Sequence, residues 1–175
     1  MCEVNLRITP MSSRDVEGVY RIERQVFPSP WTKEAFKREI KNENHSVMLA
    51  AKNGQEVVGY AGLFFVYDEG HVTNIAVKPE LQGRGVGTFL LLEIIKAALL
   101  KRVTNLMLEV RESNLVALSL YRKFGFEPMG VRKDYYLDTQ EDALVLEKEA
   151  LSSPDNLERL EKIEKELKVR LQSLE

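Results

Sequence analysis

The sequence predicts an α/β fold of the α+β kind: a mixed, mostly antiparallel sheet of about seven strands, flanked by about four helices and followed by an amphipathic helix. Three observations carry that expectation. Two turn signals, Asn53-Gly54 and Asp68-Glu69-Gly70, join three strand-like runs into an antiparallel meander. The third run ends in Ile75-Ala76-Val77-Lys78-Pro79, crosses a glycine-rich turn at Gln82–Thr88, and opens into a long apolar helix. After Ser152-Ser153-Pro154 the chain changes to apolar residues spaced along a charged helix, which sets a boundary near residue 150. We therefore expect one domain over residues 1–150 and a helical extension over 151–175.

Each element has its local reason. Val4-Asn5-Leu6-Arg7-Ile8 alternates apolar and polar, as a half-buried strand does. Ser12 or Ser13 can cap a helix running to about Val26, with Val16, Val19, Ile22 and Val26 on one face. Pro28-Ser29-Pro30 stops it, and a second short helix starts at Trp31. The Phe-Pro-Ser-Pro-Trp elbow reads either as a lid or as a hydrophobic staple between helices. Ser46–Lys52, Gln55–Val66 and His71–Val77 are the meander strands. The helix from Gly85 to about Lys101 is apolar nearly all round, so it is expected to be buried against the sheet. Leu106–Val110 is a buried strand interrupted by Glu109. Ser113-Asn114 caps a helix over Leu115–Phe124, which Gly125 stops. Phe126–Leu137 and Ala143–Leu146 complete the strands. In the tail, Leu157, Leu160, Ile163, Leu167, Leu171 and Leu174 form a stripe, with Glu-to-Lys or Glu-to-Arg pairs four residues apart. That helix reads as lying outside the main fold. It can pack on its own domain, pair with a second copy as a homodimer, or dock elsewhere.

Composition excludes several classes. A net charge of −2 gives no field that recruits nucleic acid or an anionic membrane, so any anion site must be local. The longest apolar run is broken by Glu93 and Lys96 and is too short and charged to span a bilayer. The start, Met-Cys-Glu-Val-Asn, lacks a basic segment followed by an apolar one, so no signal peptide is expected. Cys2 is the single cysteine, which excludes an internal disulfide and points to a reducing, cytoplasmic setting. Two histidines and one cysteine offer no metal-ligand spacing, so no metal is expected.

The turn at Gln82–Thr88 leaves backbone N–H groups unpaired at the positive end of a helix dipole, which is a receptor for phosphate or pyrophosphate. It is neither of two common nucleotide motifs. A Gly-x-Gly-x-x-Gly count from Gly83 ends on Thr88, and from Gly85 on Leu90. No Gly-Lys-Ser/Thr run exists. What stands there is Gln82-x-x-Gly85-x-Gly87, and Arg84 adds a guanidinium that can share an anion with the backbone.

Three stretches together resemble the GNAT family of N-acetyltransferases: residues 74–87 (Asn-Ile-Ala-Val-Lys-Pro-Glu-Leu-Gln-Gly-Arg-Gly-Val-Gly), residues 108–114 (Leu-Glu-Val-Arg-Glu-Ser-Asn), and Ala117…Leu120-Tyr121 with Gly125-Phe126. The resemblance spans about residues 4–149. Phe27-Pro28-Ser29-Pro30-Trp31 and Tyr135-Tyr136…Glu141-Asp142-Ala143 are most similar to the branch that acetylates the N-terminal alanine of ribosomal protein S18. The resemblance implies acetyl-CoA as co-substrate. It implies that the backbone of Ile75, Ala76 and Val77 pairs with pantetheine and polarises the thioester, and that Gly83, Arg84, Gly85, Val86, Gly87 and Thr88 hold the pyrophosphate. From the residues alone, Ile75–Val77 is a buried strand, and both readings are compatible.

Acetyl transfer to an amine needs a base and an acid. Glu109 is the candidate base, because an acid is costly to bury in an apolar strand without purpose. Its alternatives are an ion pair with Arg111 or an outward-facing position. A free glutamate at about 4.3 and an α-amine near ~7.7–8 leave direct proton abstraction uphill, so burial or a water relay must help. Tyr121 is the candidate acid, since a phenol can protonate a departing thiolate; otherwise it is a half-buried helix aromatic. Asn114 lies two turns before it and is assigned a bond to the cofactor by the resemblance, or a pure cap by its position. Trp31, Tyr135 and Tyr136 can wall a groove for an extended N-terminal peptide, or pack as core and hairpin. The expected reaction is direct transfer in a ternary complex to a protein N-terminus, with Cys2 no candidate for a covalent intermediate. Two other readings stay open: acetylation of a small-molecule amine, and a non-catalytic acetyl-CoA-binding module.

Overall fold

A computed structural model describes residues 6–172. Val4 and Asn5 of the expected first strand, the thiol of Cys2 and the last stripe position Leu174 lie outside the described residues.

The first strand β1 (Leu6–Pro10) leads to helix α1 (Val16–Val26), which buries Val16, Val19, Ile22 and Glu23. Neither Ser12 nor Ser13 caps it. Asp15 occupies the cap position, and its carboxylate instead accepts from the N–H and hydroxyl of Ser12, at 2.8 and 3.0 Å, and pairs with Lys52 at 2.8 Å. Helix α2 (Lys33–Lys41) starts later than expected, because Thr32 accepts from the Ala35 N–H at 3.1 Å and so fixes the entry. Trp31 then stands just outside the cap and packs on Phe36 with ring centroids 5.4 Å apart. This is the hydrophobic-staple arrangement.

The meander follows as β2 (Ser46–Asn53), β3 (Glu56–Val66) and β4 (Glu69–Val77). Gly70 lies inside β4 and not in the turn. A Cβ there would stand 2.6 Å from Leu106 Cδ2, so this glycine permits close packing of two strands. After the glycine turn comes α3 (Val86–Leu100), then β5 (Asn105–Arg111), α4 (Leu115–Lys123), β6 (Glu127–Tyr136), β7 (Glu141–Lys148) and α5 (Pro154–Gln172). The strand order is β1-β2-β3-β4-β5-β7-β6, antiparallel except between β4 and β5. One face of the sheet packs on α1 and α2 around Phe36 and Tyr60; the other packs on α3 and α4 around Leu90, Leu91 and Ile94.

The tail helix α5 is not outside the main fold. Leu160, Ile163 and Leu167 are buried in the same core cluster as α3. Ion pairs from Glu164 to Lys96 (3.2 Å) and from Glu166 to Lys123 (3.0 Å) tie it to α3 and α4. Of the three destinations open to the stripe, its own domain is the one it takes. These three side chains are thereby covered by their own chain and do not form a face for a second copy.

Candidate active site

The sheet is open at its centre. Parallel pairing of β4 with β5 is confined to Glu69–His71 against Asn105–Met107, after which the two strands part. Beyond that point β4 still pairs with β3, and β5 with β7, so each strand turns an unpaired backbone edge toward the gap. A cavity of about 250 Å³ lies there, lined by Ile75, Ala76, Val77, Gln82, Gly83, Gly87, Asn114, Val116, Leu120 and Tyr121, among others. The glycine turn forms its end. Gly83 and Gly85 have φ of +74° and +94°, left-handed values that favour glycine. The first helical bond of α3 runs from the Phe89 N–H to the Gly85 carbonyl at 2.9 Å, so the N–H groups of Val86, Gly87 and Thr88 have no partner within the helix. Gln82 closes the turn by donating to the Val77 carbonyl at 3.1 Å.

A second cavity, of about 310 Å³, adjoins the first and shares Val26, Ile75, Asn114, Ala117 and Tyr121 with it. Trp31, Tyr135, Tyr136, Glu23, Asn74 and Glu109 all line this second space. Adjacent residues on a strand normally face opposite sides, yet Tyr135 and Tyr136 both face the cavity. A register shift in β6 between Arg132 and Tyr136 brings this about, with Asp134 at φ +50° and its N–H donating to Asp142 at 2.9 Å. Arg111 then fixes Tyr136. Its guanidinium lies 3.9 Å from the ring centroid and pairs with Asp138 at 2.8 Å. A similar shift between Gly62 and Leu63 lets Thr73, Asn74 and Ile75 all line the cavity.

Glu109 does not pair with Arg111, and it does not face outward. Its side chain is 8% exposed; His71 Nε2 lies 2.5 Å from one carboxylate oxygen and the Arg132 guanidinium 3.1 Å from the other. Arg111 is drawn away by Asp138 in the β6–β7 connection and Glu141 at the start of β7. Tyr121 is buried at the junction of the cavities, its ring 5.8 Å from that of Phe126. Burial, and then the neighbouring Tyr136, push its phenol far above the ordinary range, so it keeps its proton. Burial also pushes Tyr136 up, to about 12. Both cavities include Asn114, which caps α4 by accepting from the Ala117 N–H at 3.1 Å.

The expected site residues therefore divide. Ile75, Ala76, Val77, Gly83, Gly87, Asn114 and Tyr121 line one cavity; Glu109, Trp31, Tyr135 and Tyr136 line the other. Gly85, Val86 and Thr88 form the turn and first helical turn behind the lining. Arg84 is exposed and stands on the far side, near Leu6, Leu81 and Leu171. Among the described residues, no group of three His, Cys, Asp or Glu side chains is placed to hold a metal ion.

Sequence reasoning missed a buried polar cluster on the cavity floor. Glu23 is 1% exposed, accepts from the Trp31 N–H at 2.9 Å and from the Tyr60 hydroxyl, and is pushed up by burial against the pull of those donors. Asn74 also lines this cavity, and its Oδ1 is buried and without a hydrogen-bond partner among the described residues. A signal was present for Glu23: it falls on the apolar stripe of Val16, Val19 and Ile22. His71 and Arg132 gave no local signal.

The chain is similar to known acetyltransferases in sequence and in fold. The profile of the Acetyltransferase (GNAT) family matches residues 16–126. A Bacillus subtilis (strain 168) protein, provisionally named a [ribosomal protein bS18]-alanine N-acetyltransferase, is 40% identical over 136 residues, covering 78% of this chain and 90% of that protein. The [ribosomal protein bS18]-alanine N-acetyltransferase of Escherichia coli (strain K12) is 33% identical over 79% of this chain and 94% of its own. A crystal structure of the ribosomal-protein-S18-alanine N-acetyltransferase from Escherichia coli superposes with a TM-score of 0.75, at 29% identity, over 83% of this chain and 94% of that one. A GNAT family acetyltransferase from Elizabethkingia anophelis, solved with acetyl-CoA bound, gives 0.66 at 26% identity over 83% and 98%.

Proposed function

The chain belongs to the acetyltransferase (GNAT) family, and from that premise we propose that it moves the acetyl group of acetyl-CoA directly to the α-amine of a protein N-terminus, with the alanine of ribosomal protein S18 as the favoured acceptor. One observation carries the reading: two cavities, one ending at a glycine turn and one walled by aromatic rings, meet at Ile75, Asn114 and Tyr121, with Glu109 lining the second. Relatives named for that acceptor support the choice of substrate.

The residues fit such a donor. The edge of β4 that faces the gap at Ile75–Val77, where no strand pairs with it, suits an extended amide-bearing arm, and the N–H groups opening α3 suit its pyrophosphate. When bound, acetyl-CoA supplies a thioester carbonyl already activated for attack. Backbone N–H groups of β4 hold that carbonyl by preoriented dipoles. Glu109 takes the proton that the attacking amine must lose, and His71, half exposed behind it at 2.5 Å, orients its carboxylate. Tyr121 holds a proton at its hydroxyl for the departing sulfur, and its burial keeps that proton in place at neutral pH. Asn74 Oδ1, lacking a partner among the described residues, suits an N–H of the acceptor peptide. Tyr135, Tyr136 and Trp31 wall the peptide's path.

An α-amine near ~7.7–8 is far less protonated at neutral pH than a lysine amine near ~10.4, which favours termini over side chains. A ribosomal acceptor sets the reaction in the cytoplasm. The test is incubation with acetyl-CoA and short peptides that differ at residue 1, read by mass spectrometry. We expect one acetyl group on the α-amine, fastest with alanine first. Acetylation of polyamines with none of any peptide would overturn the reading in favour of a small-molecule acceptor.

A further inference from the structure

Helix α5 lies beyond the residues that the family profile matches, and nothing in the proposed chemistry uses it. Its last two turns nevertheless meet the glycine turn. Arg170 donates to the Gly83 carbonyl. Leu167 Cδ1 would stand 3.1 Å from a Cβ on Gly85, so the leucine fills the space that glycine leaves. Leu171 packs beside Leu81, Arg84 and Val86 on the outer side of the same turn.

A peptide unit is planar and trans, so its C=O and N–H point in opposite directions. Holding the Gly83 carbonyl toward α5 therefore aims the Arg84 N–H away from α5. Glycines at φ +74° and +94° lose much conformational freedom when a turn is fixed, and a turn fixed beforehand binds its anion more tightly. We propose that the end of α5 is a brace for the phosphate-binding turn, with Arg170 and Leu167 as positioning residues for acetyl-CoA. This rests on the reading of that cavity as the acetyl-CoA site. Docking of α5 and binding of the cofactor then favour each other reciprocally.

The experiment compares wild type, Arg170→Ala and Arg170→Lys with two donors, acetyl-CoA and acetyl-pantetheine, the second carrying no phosphate. Calorimetry with CoA on the same proteins gives Kd. For Arg170→Ala we expect a roughly tenfold rise in Kd for CoA and in KM for acetyl-CoA, as loss of a charged hydrogen bond implies. Its kcat and its kcat/KM for acetyl-pantetheine should stay within about twofold of wild type. Arg170→Lys keeps a charged donor and should recover most of the loss. Leu167→Ala should act in the same direction. An unchanged Kd in Arg170→Ala overturns the brace, and so does an equal loss with both donors, which is the mark of general destabilisation. Failure of wild type to bind CoA would instead overturn the cofactor reading beneath it.

Discussion

Replacing Tyr121 by Phe removes one oxygen from the point where the two cavities meet and leaves the ring against Phe126, 5.8 Å away. A positioned general acid contributes roughly 10²–10⁴ in rate, or about 3–5 kcal/mol of barrier, and kcat should fall by that much. The packing survives, so stability should change by no more than about 1 kcal/mol. Steady-state release of free thiol from acetyl-CoA measures kcat, and calorimetry with CoA measures binding, which should stay within about threefold because the phenol does not hold the phosphates. A second readout comes from pH. The folded phenol is raised above its ordinary value of 10.0, so the stability linked to it is complete below pH 10.0 and is lost as pH climbs beyond it. The Phe variant should therefore lose less stability than wild type in that alkaline window. A kcat within threefold of wild type would refute the proton-donor role, whatever the binding data show.

Glu109→Gln should lower kcat/KM by about 10²–10³ near pH 7 and recover part of it toward pH 9, where the acceptor amine is deprotonated unaided; a loss that does not vary with pH, followed by the same thiol-release assay, would count against the base. Glu23→Leu leaves the Trp31 N–H and the Tyr60 hydroxyl without their acceptor and should cost about 2–4 kcal/mol in denaturant unfolding. Glu23→Gln keeps one acceptor, enough for the Trp31 N–H, and turns its amide N–H2 toward the Tyr60 oxygen, which must then accept. Because burial raises the folded carboxyl above 4.5, the stability tied to its protonated form is complete below pH 4.5 and is lost as pH rises through the folded value. The Gln variant should therefore gain on wild type as pH rises above 4.5, and parallel pH–stability curves would remove Glu23 from this role.

Sequence alone determined the parts of this protein whose physics acts over a few residues. The turn at Gln82–Thr88 is readable because left-handed φ at Gly83 and Gly85 demands glycine wherever the turn stands in the fold. The cap at Asn114 and the Trp31–Phe36 staple are likewise bonds between near neighbours along the chain. Glu109 was legible as an anomaly, an acid inside an apolar strand, but its partners were not. Arg111, two residues away, was the obvious one, and tertiary structure chose otherwise: His71 reaches Glu109 from β4 and Arg132 from β6, while the β6–β7 acids take Arg111. The same limit hid the Glu23–Tyr60 pair, 37 residues apart, and the bulge that turns both Tyr135 and Tyr136 inward. The stripe on α5 was plain, yet a stripe states only that a face must be buried. Which surface buries it depended on the groove that α3 and α4 leave open, and through Arg170 that outcome reaches back to the glycine turn.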